Sequence, residues 1–302
     1  DKQMRCILET PDTYKPSLKH ALHFFDMDYH DDVIKSFNDL SNGTPVFDKV
    51  IKMMTYTNKS FWAHAISRPA LDAKGKVIGL KGVVVNVDKE KEREQADEVA
   101  ETLRELGADA AVFPCELRDT ESVNTMAASV IEAYGGIDVL VNDAAYNKWI
   151  PFDDLDAMTF DEWDRIIDTN LTGPMRCIKA VVPSMKKRGG GRIVNIASVA
   201  GLSPTGSSIP YAVSKAGLIH LTKCTALGLA PDILVNCVAP GFIEGTRVSA
   251  NLTDEYKKRL TEGVALKKPA DKDEIAKQVV AFCEGDTTTG QTLVNDSGRI
   301  WH

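Results

Sequence analysis

Between Ile51 and Val87 the apolar and β-branched residues gather in three short runs, Ile51–Tyr56, Ser60–Ile66 and Lys76–Val87. Turn-forming residues at Thr57-Asn58-Lys59 and Asp72-Ala73-Lys74-Gly75 separate them, a pattern that predicts strands joined as an antiparallel meander. Upstream, Val33, Ile34, Phe37 and Leu40 recur at helical spacing and the run stops at Asn42-Gly43, so a helix is expected over Asp31–Asn42. The pattern changes between Val83 and Gln95. From there on, apolar runs at Ala110–Phe113, Val139–Asn142, Arg192–Ile196, Ile233–Val238 and Thr292–Asn295 alternate with longer stretches of helical periodicity. Strand and long helix in alternation imply a parallel sheet with helices on both faces. Two domains are therefore expected, residues 1–90 and 91–302, and the charged stretch Asp88–Glu94 reads as a solvated helix start.

Composition adds exclusions rather than an assignment. The chain has 302 residues, 43% hydrophobic and 26% charged, which is ordinary globular usage and argues against disorder or a fibrous repeat. A net charge of -7 and no basic run longer than Lys186-Lys187-Arg188 argue against a nucleic-acid partner. No apolar run approaches the ~20 residues of a membrane span, and the opening Asp1-Lys2-Gln3 carries no leader pattern. A chain that opens without methionine is expected to be a fragment. Six cysteines lie far apart with no C-x-x-C pair, which points to reduced thiols and a cytoplasmic setting. His20, His23 and His30, near Asp26 and Asp28, do not close a known ligand set, so no metal is expected.

The chemistry concentrates in Tyr211-Ala212-Val213-Ser214-Lys215. Tyr and Lys at i and i+4 share one helix face. A phenol with an ordinary pKa near ~10 is a poor base at neutral pH, and a neighbouring ammonium favours its ionised form. Ser198 lies 13 residues before Tyr211, just past the strand Arg192–Ile196.

In this setting, Asn195-Ile196-Ala197-Ser198-Val199-Ala200-Gly201 followed by Tyr211 and Lys215 resembles the serine, tyrosine and lysine segments of the short-chain dehydrogenase/reductase family. Asn170, in Asp168-Thr169-Asn170-Leu171-Thr172-Gly173, matches the family's helix asparagine. The resemblance implies an α/β fold, a Rossmann-like doubly wound parallel sheet, here incomplete at its N-terminal end. It implies an NAD(P)-dependent oxidoreductase that moves a hydride between a nicotinamide cofactor and a small-molecule alcohol or ketone. Tyr211 would be the general acid/base. Ser198 would hydrogen-bond the reacting oxygen, Lys215 would hold the nicotinamide ribose, and Asn170 would support the proton relay to solvent. For the cofactor, NAD or NADP, further matches are Asn142-Asp143-Ala144-Ala145 after the fourth strand, with Asp143 and Ala145 as departures, and Glu116 in Glu116-Leu117-Arg118-Asp119 beside the adenine. Pro240-Gly241-Phe242-Ile243 stands beside the nicotinamide, with Thr246 following. Gly290–Gly298 resembles the closing strand, Glu244–Lys268 a mobile cover over the substrate, and a homodimer or homotetramer is the family expectation.

Two further features complicate this picture. Tyr14–Leu18, Phe25–Asp28, Phe61-Trp62-Ala63 and Gly75–Val84 are similar to the later part of a PAS sensor domain, covering about residues 10–90. The run Gly82–Asp88 then reads either as the last PAS strand, the reading favoured here, or as the second dehydrogenase strand, with Asp88 facing the adenosine ribose. The glycine-rich T-G-x-x-x-G-x-G turn, by which such enzymes bring backbone against the pyrophosphate, is not present in the sequence. An alternative function follows: a PAS-linked sensory or binding protein whose dehydrogenase fold does not turn over.

Overall fold

The computed structural model describes residues 47–54, 60–71, 77–86, 88–246, 249 and 253–300. The chain divides into two compact units, Asp1–Val112 and Phe113–His302. The helix expected over Asp31–Asn42, the segments Tyr14–Leu18 and Phe25–Asp28, and the three histidines lie outside the described residues.

In the first unit, β1 (Phe47–Met54), β2 (Ser60–Leu71) and β3 (Val77–Asn86) form an antiparallel sheet in chain order. Met53 and Ala63 are buried. The central strand β2 runs past Ile66 and includes Pro69, a residue that cannot donate to a ladder. Among the described residues the β1 pairing ends at Phe47↔Ser67, leaving Pro69 paired with β3, and the register slips at Ala70/Leu71. Helix α1 (Asp88–Glu105) follows, with the expected exposed, charged surface and the ion pair Arg104–Glu101 at 2.8 Å.

The second unit carries a four-stranded parallel sheet in the order β4 (Val139–Asn142), β5 (Gly191–Ile196), β6 (Ile233–Pro240), β7 (Thr292–Asn295). Helix α2 (Thr120–Tyr134) precedes it, opened by an Asp119 cap and closed by Gly135 in the left-handed region at φ 77. Between β4 and β5, α3 (Phe160–Ile167) runs through a π-helical turn, Asp168–Thr172, into α4 (Gly173–Lys187). Helix α5 (Ile209–Leu229) links β5 to β6, and α6 (Asp254–Glu262) and α7 (Lys272–Glu284) link β6 to β7.

Strand alternation divides the core between the two faces. Ile193, Val235 and Ile233 pack with Ile178, Val181 and Met185 of α4 and Ala226 of α5. Val194 and Val238 point the other way, onto Ile275 of α7 and Ala270. Among the described residues β4 pairs with β5 alone, and it exposes Val139 and Val141. The strand expected at Ala110–Phe113 is not formed. A strand exists through its ladder, and these residues pair with no other strand among the described residues.

Candidate active site

Chemistry-bearing side chains collect where β4, β5 and β6 end, at the carboxyl edge of the sheet, the usual ligand position in open α/β folds. Ser208 caps α5, its side chain accepting from the Tyr211 amide, and Pro210 occupies the first turn. Tyr211 and Lys215 then stand one turn apart, with the ammonium 5.8 Å from the phenol ring centre. Ser198 leaves the end of β5; its Oγ accepts from the Ala200 amide at 3.2 Å, and its hydroxyl lies close enough to the Tyr211 phenol to oppose the upward effect of burial there. A short 3₁₀ turn, Val199–Gly201, backs onto α5 so closely that a Cβ on Gly201 would lie 2.6 Å from the Lys215 carbonyl carbon.

Asn170 is 1% exposed and sits in the π-helical turn, a distortion often found at functional positions. Its Oδ1 accepts from Tyr146 N at 2.7 Å, and its Nδ2 donates to Tyr146 O at 2.9 Å and Ser214 Oγ at 3.1 Å. Ser214 in turn donates to Tyr211 O at 2.7 Å. The loop after β4 and the backbone of the tyrosine helix are thus joined through one asparagine. Ser214 was not singled out from sequence, although it lies inside the Tyr211–Lys215 motif.

Burial dominates the electrostatics. It pushes the Tyr211 phenol above its ordinary value, with the Ser198 hydrogen bond acting the other way. It also lowers Lys215 from 10.5 to about 8, against the opposing pull of the Asp143 carboxylate. Lys215 Nζ donates to Ile196 O at 2.8 Å. Between pH about 8 and 10.5 the unfolded chain holds a proton on this lysine that the folded chain has released, so stability rises with pH across that window. Denaturant titrations of the cofactor-free protein should show native stability rising by about 1 kcal/mol from pH ~7 to pH ~9 relative to Lys215→Met. An unchanged difference would contradict the lowered value.

The positions matched to a cofactor fall into two groups. Asn142 is buried and donates to Asn195 Oδ1 at 2.8 Å, while Ala144 and Ala145 are exposed beside it. Pro240 ends β6, and Gly241 is required by space, since a Cβ there would lie 2.7 Å from Asp296 Cα. Ile243 bridges to Ala270, and Thr246 closes a turn with Ser249. These are the positions that could hold a dinucleotide, Pro240–Thr246 with Lys215 on its nicotinamide side and Asn142–Ala145 on its adenosine side. Glu116 is exposed; its carboxyl is held below the usual range chiefly by hydrogen bonds from Arg118. Its loop is fastened to α4 by Arg176, which donates to Leu117 O at 3.0 Å. Among the described residues no strand, glycine-rich turn and helix stand together for the pyrophosphate, and no group of His, Cys, Asp or Glu has a metal-holding arrangement.

A parallel sheet wrapped by helices, with serine, tyrosine and lysine at its carboxyl edge, defines a Rossmann-type oxidoreductase fold. The chain belongs to the short-chain dehydrogenase/reductase family. Residues 76–299 match the family model described as enoyl-(acyl carrier protein) reductase. That match starts just before β3, so β3 and α1 fall within the family's sequence although β3 pairs antiparallel with β2. The chain is 34% identical over 212 residues to dehydrogenase/reductase SDR family member 4 of Pongo abelii, covering 69% of this chain and 76% of that protein. It is 34% identical over 246 residues to the 3-oxoacyl-[acyl-carrier-protein] reductase FabG of Staphylococcus epidermidis, covering 80% and 98%. The crystal structure of a single-substitution variant of actinorhodin polyketide ketoreductase with NADPH aligns with TM-score 0.63 and 32% identity over 68% of this chain and 84% of that one. NAD(P)(H) is the cofactor of this family.

Proposed function

We propose that this chain is an NAD(P)-dependent oxidoreductase that interconverts a small-molecule alcohol and ketone. The observation that carries the reading is the convergence of Ser198 Oγ, the Tyr211 phenol and the Lys215 ammonium at the end of β5. When bound, NAD(P)H supplies the hydride, and every other task falls to the chain. Ser198 hydrogen-bonds the substrate oxygen. Tyr211 gives its phenolic proton to that oxygen in reduction and takes it back in oxidation. The same burial that raises its pKa keeps the phenol protonated at neutral pH, the form needed to donate. Lys215 holds the nicotinamide ribose and refills the tyrosine with protons. Asn170 keeps the Tyr146 carbonyl in place as the next polar group toward solvent.

The test is a calorimetric titration of NADH and NADPH into a monodisperse sample, followed by loss of reduced-nicotinamide absorbance with a panel of ketones. Micromolar binding and turnover are expected. No binding by a folded sample would overturn the reading, and binding without turnover would favour a dehydrogenase fold used as a binding module.

Within the same proposal, the PAS resemblance of residues 10–90 stays a reading of the sequence, and the match to the dehydrogenase family, from residue 76, overlaps its last strand. Assembly as a homodimer or homotetramer is carried over from the family resemblance. The five cysteines among the described residues are free thiols, in keeping with a cytoplasmic setting.

A further inference from the structure

Lys215 carries an amine into a place that penalises its charge. The residue is 3% exposed, and its Nζ donates to Ile196 O at 2.8 Å. One carbonyl dipole offsets only part of the cost of burying an ion. The polar groups that face it come from four elements. On its own helix, burial keeps the Tyr211 phenol protonated, with the ring centre 5.8 Å from Nζ. At the end of β5, Ser198 brings a neutral hydroxyl. On β6, Cys237 would favour the ammonium only as a thiolate, and burial pushes its thiol up and keeps it neutral.

The fourth element is β4. Its parallel register with β5 ends on Asn142 beside Asn195, and the two side chains are bonded at 2.8 Å, which fixes the strand ends together. The next residues, Asp143 and Ile196, therefore leave the ladder side by side, and it is the Ile196 carbonyl that holds Lys215 Nζ. Asp143 is exposed. Its carboxylate is the largest influence favouring the charged form of Lys215 against burial. Asp143 is also one of the two departures from the family's pattern in Asn142-Asp143-Ala144-Ala145, so this charge belongs to the chain and not to the fold.

We propose that Asp143 is the counter-ion of Lys215, a positioning residue that keeps the buried ammonium charged and so extends the chain's working range toward alkaline pH. The part in the working range rests on the oxidoreductase reading above. A charged lysine brings three donors and a positive field to the site, whereas a neutral amine is a weaker donor and brings no charge to the phenol. With its pKa lowered to about 8, Lys215 stands where a modest loss of support changes its state. A further fall of about half a unit to one unit would cut the charged fraction at pH ~8 about twofold to fivefold.

The titration of Lys215 is read by NMR in the full-length, cofactor-free protein carrying isotope-labelled lysine, its signal identified by its loss in Lys215→Met. Asp143→Asn keeps the shape and removes the charge, and should lower the midpoint by about half a unit to one unit. Asp143→Glu should hold it near native. Asp153→Asn, which removes another exposed carboxylate between β4 and α3, should leave it in place. An unchanged midpoint in Asp143→Asn would overturn the counter-ion, whether or not the chain turns over. In ketone reduction, the alkaline limb of the kcat profile of Asp143→Asn should move down by the same amount, so that its loss of rate grows from pH ~6.5 to pH ~8. A loss that is equal at every pH, or none, would overturn the role in the working range. Absence of turnover in the native protein would count against the oxidoreductase reading and that role, while the NMR midpoint still decides the counter-ion itself.

Discussion

Tyr211→Phe should lower the rate of ketone reduction by about 10²–10⁴-fold and leave unfolding stability within about 1 kcal/mol of native. The substitution removes one oxygen. The ring keeps its volume, and the backbone stays fixed by Ser208 at the helix cap and by Ser214 Oγ donating to Tyr211 O at 2.7 Å. Ser198 retains the Ala200 amide as partner, so the end of β5 is not released. The lost function is the proton. Without the phenol no group at that position can give one to the substrate oxygen, and Lys215, bonded to Ile196 O, lies one turn further along the helix. Single-turnover absorbance with saturating cofactor, paired with a calorimetric measurement of cofactor affinity, separates chemistry from binding. Native-like rates in this variant would remove Tyr211 from the mechanism.

A second large effect is expected at a position that carries no side chain. Gly201→Ala should reduce turnover about 100-fold and destabilise the fold by about 2 kcal/mol. The added Cβ would sit 2.6 Å from Lys215 C, 2.7 Å from Ala216 N and 2.8 Å from Lys215 O. All three are backbone atoms of α5, so no rotamer change relieves the overlap. The 3₁₀ turn and the helix must separate, and Ser198 and Tyr211 ride on the two parts that move. Gly228→Ala is the matched control, since nothing lies within 4 Å of its Cβ position in the same helix. It should be neutral or stabilising by up to about 1 kcal/mol. Equal melting curves and rates for both variants would show that the close approach at Gly201 is not needed.

The parts of this fold legible in the sequence are those where one local signal suffices. Val139–Asn142 and Thr292–Asn295 are strands with the bounds expected of them, and β5 and β6 differ by a residue or two at their ends. Parallel strands of this kind are short apolar runs, and their neighbours do not alter that pattern. Ala110–Phe113 has the same composition and is no strand, because pairing is a property of a partner and not of the run itself. The candidate site is equally legible where its spacing is local. Tyr211 and Lys215 lie on one helix face by arithmetic alone, and Ser198 follows a strand end. What composition could not show is which influence dominates around them. A nearby ammonium favours phenolate, yet burial is the largest cause at Tyr211 and moves its pKa upward. Trp149 and Tyr256 stand edge to face, a pairing of distant positions that no local pattern encodes.

A polar line runs through the core of the second unit. Asn142 donates to Asn195 Oδ1 at 2.8 Å, and Asn195 donates to Thr222 Oγ1 at 3.0 Å. Thr222 donates to Leu218 O at 2.9 Å, so that β4, β5 and α5 are tied in sequence. Changing any one member to an apolar residue strands its neighbour's polar atom away from water, at about 1–3 kcal/mol, whereas exchanging all three for well-fitted apolar groups can be nearly neutral. Heredity should therefore treat positions 142, 195 and 222 as one character: single replacements are selected against, and a descendant that departs at one of them departs at the others as well.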